Sequence, residues 1–133
     1  MDAPEDRTGE SPPRFAFGEN WASFIEDINS RQIFEAQESL KDIFGLQSFT
    51  GYSFLDVGSG SGLFSAAAVS MGARVVSFDV DPVSVKATID LRQRYSQNNA
   101  NWVIKQGDIL DRKFIEGLGK FELIYSWGVL HHT

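Results

Sequence analysis

The run Leu55-Asp56-Val57-Gly58-Ser59-Gly60-Ser61-Gly62 constrains this chain more than any other stretch of it. An apolar segment ends in a carboxylate, and three glycines then alternate before a helix-like segment over residues 63–71. Such a pattern is a strand that turns sharply into a helix, with backbone that must pass close to something held in the crevice above the turn.

The rest of the chain repeats the same unit. Residues 74–79 (Arg-Val-Val-Ser-Phe-Asp) read as a second strand that also ends in a carboxylate, 23 residues after Asp56. Asp81 then caps a helix with Pro82 at its first position. Val83, Ala87, Leu91 and Tyr95 recur every four residues and give that helix an apolar stripe. Residues 101–105 form a short third strand closed by Gly107 and Asp108, and residues 121–125 a fourth, mostly apolar one. Strands alternating with helices imply right-handed crossovers and a parallel sheet, in which ligands sit beyond the carboxyl ends of the strands. Asp56, Asp79, Asp108 and Ser126 fall at four such ends.

Four motifs then make the chain resemble the class I S-adenosylmethionine-dependent methyltransferases. They are the glycine run above, Val76-Ser77-Phe78-Asp79-Val80-Asp81-Pro82, Gln106-Gly107-Asp108-Ile109-Leu110, and Tyr125-Ser126-Trp127-Gly128-Val129-Leu130-His131-His132-Thr133. The resemblance runs from about residue 15 to residue 133. It implies an α/β, Rossmann-like parallel sheet in the spatial order 3-2-1-4, the first part of a seven-stranded fold, preceded by two helices that cap the cofactor. It also implies a set of cofactor contacts. Asp56, Gly58, Ser59, Gly60 and Gly62 would hold the methionine part and Asp79 the ribose diol. Val80 and Ile109 would sandwich the adenine, Asp108 would meet its amine, and Ser126 would border the sulfur. Each role suits its side chain, since a carboxylate accepts both donors of a diol and an apolar group covers a flat purine. Asp79, as a strand-end carboxylate, is expected to serve the ligand and not the fold.

The competing reading of the glycine run is a nicotinamide dinucleotide site, where glycines and a helix start cradle a pyrophosphate. That fingerprint asks for a third glycine where Leu63 stands, Asp56 would set negative charge beside phosphate, and no second mononucleotide half follows. A further alternative is a binding or regulatory module that keeps the cofactor site without acceptor residues.

Composition narrows the partners. A length of 133 residues, 42% of them hydrophobic, suits one domain with a real core. A net charge of −6 argues against sequence-independent nucleic-acid binding and favours a small-molecule substrate. With no cysteine there is no disulfide, thiolate zinc site or thiol catalysis, which fits a cytoplasmic protein. No apolar run is long enough to span a membrane, and no metal site or catalytic base is assigned.

Residues 1–14 hold three of the four prolines and four acidic residues and read as a disordered leader. Residues 15–50 read as the helical cap and 51–133 as the cofactor domain. Asn20 would cap a first helix bearing Trp21, Phe24, Ile25 and Ile28. Ser30 would cap a second, with Ile33, Leu40, Ile43 and Phe44 inward and Gly45 at its end. Residues 15–21 could touch the cofactor, or Phe17 and Trp21 dock the first helix, the simpler reading. Trp127 is likewise expected to pack at the sheet end, with lining of the cofactor site as the alternative. His131 and His132 could act as a general base or bind a metal as a pair. On a helix, however, they point about 100° apart and do not easily share one ligand site, so the favoured reading is that one packs or caps and the other is solvated. The chain stops just past the fourth strand, which predicts a fragment of a longer protein with an exposed apolar edge, marginal stability and no activity of its own.

Overall fold

The computed structural model describes residues 28–95 and 101–126. Four parallel strands, β1 (Ser53–Val57), β2 (Arg74–Asp79), β3 (Trp102–Gln106) and β4 (Leu123–Tyr125), form one sheet in the order β3-β2-β1-β4. Four helices accompany them: α1 (Ser30–Phe44), α2 (Leu63–Ser70), α3 (Pro82–Tyr95) and α4 (Arg112–Leu118). This is the order expected from the sequence. Pairing begins at Ser53↔Arg74 between β1 and β2, at Phe54↔Leu123 between β1 and β4, and at Val75↔Trp102 between β2 and β3.

Register sorts the side chains onto two faces, because paired residues of parallel strands point the same way. Phe54, Asp56, Val75, Ser77, Trp102, Leu123 and Tyr125 share one face, and all of them are buried. Helices α2 and α3 lie on this side, joined by Ile33, Ala36 and Leu40 of α1 in a single core. Phe44, Phe49 and Phe54 meet there edge-on or stacked at centroid distances of 6.0–6.2 Å, and Tyr125 stacks on Phe54 and lies 4.9 Å from Phe64. The opposite face carries Leu55, Val57 and Phe78 under Phe114, Ile115 and Leu118 of the short α4. Crossovers of one hand put α4 on that side, because the chain reverses direction when it passes β1 to lay down β4. Ile124, in register with Leu55, remains 56% exposed there.

Several local expectations change. The cap of α1 is Asn29, not Ser30: its side chain accepts from the Gln32 amide at 3.1 Å while the Gln32 side chain accepts from the Asn29 amide at 3.0 Å. Ile43, expected inward, is exposed in the last turn of the 15-residue α1, which packs on the eight-residue α2. On α3 the buried positions are Ser84, Ala87, Thr88 and Leu91, whereas Val83 and Tyr95 lie at the exposed flanks. A four-residue step overshoots the helical turn by about 40°, so a stripe counted in fours drifts off the buried face within three steps. Asp81 does cap α3, taking the Val83 amide at 3.0 Å. Strand β3 starts one residue later than expected, and β4 is the shorter Leu123–Tyr125. The leader, the first cap helix up to residue 27, Trp127, His131 and His132 lie outside the described residues.

Candidate functional site

Beyond the carboxyl ends of β1 and β2, the glycine run folds back on itself. Gly58, Gly60 and Gly62 all have positive φ (76°, 57° and 88°), the left-handed region that costs a side-chain-bearing residue energy. The amides of Gly58 and Ser59 both donate to the Phe78 carbonyl, at 2.9 and 3.0 Å, and Gly62 donates to the Ser59 carbonyl at 2.9 Å. Gly60 donates to Asp79 Oδ2 at 3.0 Å. Four amides of the loop are therefore spent inside the protein. A pyrophosphate cradle needs such amides turned outward.

Helix α3 braces the loop from below. Thr88 Oγ1 lies 3.0 Å from Ser59 Oγ and 3.0 Å from the Gly60 carbonyl. A Cβ on Gly62 would stand 2.9 Å from Thr88 Cγ2, so glycine is required there by contact as well as by φ. Glycine at 107 has a similar reason: the Phe114 ring covers it, and a Cβ would fall 2.1 Å from that ring.

Asp79 is more than a strand-end carboxylate. Its Oδ2 takes the Gly60 amide and its Oδ1 the Asp81 amide, both at 3.0 Å, so it joins the glycine loop to the start of α3. This corrects the expectation that it serves the ligand alone. Both contacts are to backbone amides, so Asp79 orders the loop that borders the crevice.

Asp56 is 3% exposed at the end of β1. Burial pushes its carboxyl up from 3.8 to about 7; the Ser65 hydroxyl opposes the rise and the negative Asp79 adds to it. Across the β1–β4 pair, Asp56 is in register with Tyr125, whose phenol is pushed up to about 12 by burial and then by Asp56. Ser126, half-buried, follows Tyr125 and so stands beside the start of the glycine loop. Val80 is 50% exposed, and its carbonyl takes the Gln106 side-chain amide at 3.4 Å, linking the ends of β2 and β3. Ile109 is half-buried against Leu55, Val57 and Phe78, and Asp108 is exposed with Oδ1 on the Leu110 amide at 2.9 Å.

The fold thus brings Asp56, the glycine loop, Asp79, Val80 and Ser126 to neighbouring strand ends, while Asp108 and Ile109 occupy the turn after β3. Sequence reasoning missed four polar residues under this crevice: Ser65, Ser77, Thr88 and Trp102, each buried. The signal was a serine at an inward position of an apolar strand (Ser77) and another in an apolar, alanine-rich helix (Ser65).

Residues 55–133 match the model of a family described as a methyltransferase domain, more than half of the chain. The chain belongs to the methyltransferase domain family. A curated relative, the ribosomal protein L11 methyltransferase of Caldicellulosiruptor saccharolyticus, is 39% identical over 61 residues, which is 45% of this chain and 19% of that protein. Among solved structures, an S-adenosyl-L-methionine-dependent methyltransferase described as putative, from Methanococcus maripaludis, matches with a TM-score of 0.64 at 18% identity. That match covers 87% of this chain and 51% of the other. The bifunctional kinase-methyltransferase WbdD matches with a TM-score of 0.53 at 25% identity, over 80% of this chain and 23% of its own. The chain thus spans about a fifth of its curated relative and about half of the Methanococcus protein. Its sheet order and alternating helices are those of the Rossmann-like methyltransferase fold. No helix among the described residues is long and apolar enough to cross a membrane.

Proposed function

We propose that this domain binds S-adenosylmethionine and directs its methyl group to an O, N or C atom of a small-molecule acceptor. The observation that carries this reading is the charge of the crevice. Four loop amides are consumed internally, and the carboxylates of Asp56 and Asp79 flank the loop, which suits a cationic ligand and disfavours a dinucleotide phosphate.

The cofactor supplies the activated methyl group, carried on a sulfonium. The protein's part is alignment. Asp79 accepts hydrogen bonds from the ribose hydroxyls, as a carboxylate at a strand end can. Val80, half in solvent, offers an apolar face to the adenine, with Ile109 as the second wall and Asp108 as acceptor for the amine. The Gly58–Gly62 stretch and Asp56 receive the amino-acid end, where a buried carboxylate balances an ammonium. Ser126 borders the reacting centre. The curated relative's name supports a second reading, in which the acceptor is a protein.

Calorimetric titration of the natural polypeptide with S-adenosylhomocysteine and with NAD tests the cofactor. Saturable binding of the first and none of the second is expected; NAD binding without a response to S-adenosylhomocysteine overturns the proposal. Methyl transfer from labelled cofactor into small-molecule or ribosomal-protein fractions then separates the two acceptor classes.

A further inference from the structure

Under the glycine loop lies a buried polar chain that crosses three strands' worth of core. Trp102 Nε1 donates to Ser77 Oγ at 2.9 Å, Ser77 Oγ is 2.5 Å from Ser65 Oγ, and Ser65 Oγ donates to Asp56 Oδ2 at 2.5 Å. Ser65 and Ser77 are fully buried and Trp102 is 1% exposed. Polar groups in such a place are costly unless every one is satisfied.

The direction of this chain follows from its ends. An indole N–H can only donate and an ionised carboxylate can only accept. Ser65 gives its proton to Asp56, so Ser77 must give its own to Ser65 and receive the indole's. Every dipole then points toward Asp56, and each bond strengthens the next in low dielectric. All of this converges on Oδ2. Among the described residues no hydrogen bond reaches Oδ1.

We infer that Ser65, Ser77 and Trp102 are positioning residues: a one-way chain of hydrogen bonds from β3 through β2 and α2 that holds the Asp56 carboxylate as acceptor for the cationic ammonium of an amino-acid-bearing cofactor. The inference rests on the cofactor reading above. Without the chain, Asp56 would be a desolvated carboxylate beside the negative Asp79 from β2, which favours its neutral form, with the neutral Tyr125 phenol in register from β4. Its carboxyl stands at about 7 with the Ser65 hydroxyl already opposing the effect of burial, so loss of the chain moves it further toward the neutral form.

Two measurements on the natural polypeptide test this. In the first, the indole N–H of Trp102 is followed by nitrogen–proton NMR between pH 5 and 9 without ligand, with Trp102→Phe identifying its signal among the three tryptophans. The signal should titrate near neutral pH, and the titration should vanish in Asp56→Asn and in Ser77→Ala. A signal that is silent, or unchanged in Asp56→Asn, overturns the inference. In the second, S-adenosylhomocysteine affinity is compared at pH 6 and pH 8.5. The pair Ser77→Ala with Trp102→Phe removes both ends of one bond and leaves no orphaned donor. It should bind about three- to tenfold more weakly at pH 6 and within about twofold at pH 8.5, because only the ionisation of Asp56 has changed. Equal losses at both pH values would mean altered packing alone and would overturn the positioning role. Absence of S-adenosylhomocysteine binding in the unaltered protein, with the indole still titrating, would strike down the cofactor reading and the positioning role that depends on it, and so differs from failure of the chain itself.

Discussion

Replacing Asp56 by asparagine should make the protein more stable and its site worse. In the native state burial moves this carboxyl from 3.8 to about 7. A tenfold change in proton affinity is worth about 1.4 kcal/mol, so at alkaline pH the ionised form costs the native state roughly 4 kcal/mol. The sign fixes the pH window. Between about pH 4 and pH 7 the native state holds a proton on Asp56 that the unfolded chain has released, so stability declines as pH rises through that range and is flat above it. The asparagine amide cannot ionise, keeps an acceptor for the Ser65 hydroxyl, and is close to the neutral acid in shape. Urea unfolding followed by circular dichroism should show Asp56→Asn more stable by about 2–4 kcal/mol at pH 8, with the difference closing to within about 1 kcal/mol near pH 4. Affinity for S-adenosylhomocysteine should fall in the same variant. A variant less stable at pH 8, or a difference that ignores pH, would refute the claim that a strained carboxylate is kept for its charge.

Other substitutions probe the remaining parts. Asp79→Ala should weaken S-adenosylhomocysteine binding by about 5- to 150-fold, the equivalent of about 1–3 kcal/mol, and should speed hydrogen exchange at the Gly60 amide, which loses its acceptor; unchanged affinity in a folded variant would remove Asp79 from the site. Gly62→Ala meets both a φ of 88° and Thr88 Cγ2 at 2.9 Å, and should cost about 1–3 kcal/mol in a denaturant titration. Asn29→Ala should lower stability by about 1 kcal/mol while Ser30→Ala has little effect, which separates the true cap of α1 from its neighbour.

Much of this fold could be read from residue order because its signals are local. The bounds of β2 follow from an apolar run closed by Asp79, and the strand order follows from crossovers of one hand. The cap of α1 was also legible: Asn29 has Gln32 three residues on, the pairing a reciprocal cap needs, whereas Ser30 has Ile33. The buried stripe of α3 was harder, because Ser84 and Thr88 look polar in sequence and are buried only because Asp81, the Ser84 carbonyl and the glycine loop satisfy them. The bonds of Asp79 to the Gly60 and Asp81 amides and the chain from Trp102 to Asp56 were out of reach for a stronger reason. Residues 56, 65, 77 and 102 come from four separate elements, and no spacing along the chain marks them as neighbours until the sheet is assembled.

The strand order also sets a sequence of assembly. Partners in the β1–β2 ladder are separated by 21 positions, as at Ser53↔Arg74, while the β1–β4 ladder joins Phe54 to Leu123 across 69. Closing the longer loop costs more chain entropy before any contact repays it. During synthesis from the amino end, β1 to β3 and their helices can associate while β1 still has one open edge. The arrival of β4 closes that edge, with Glu122 accepting the Ser53 amide at 2.9 Å and the Ser53 hydroxyl accepting the Glu122 amide at 2.9 Å as a clamp at its entry. Only then is Asp56 shut in beside Tyr125. The wall of the crevice beside Asp56 is therefore complete only once β4 is seated, although β4 is the partner of β1 that lies farthest along the chain.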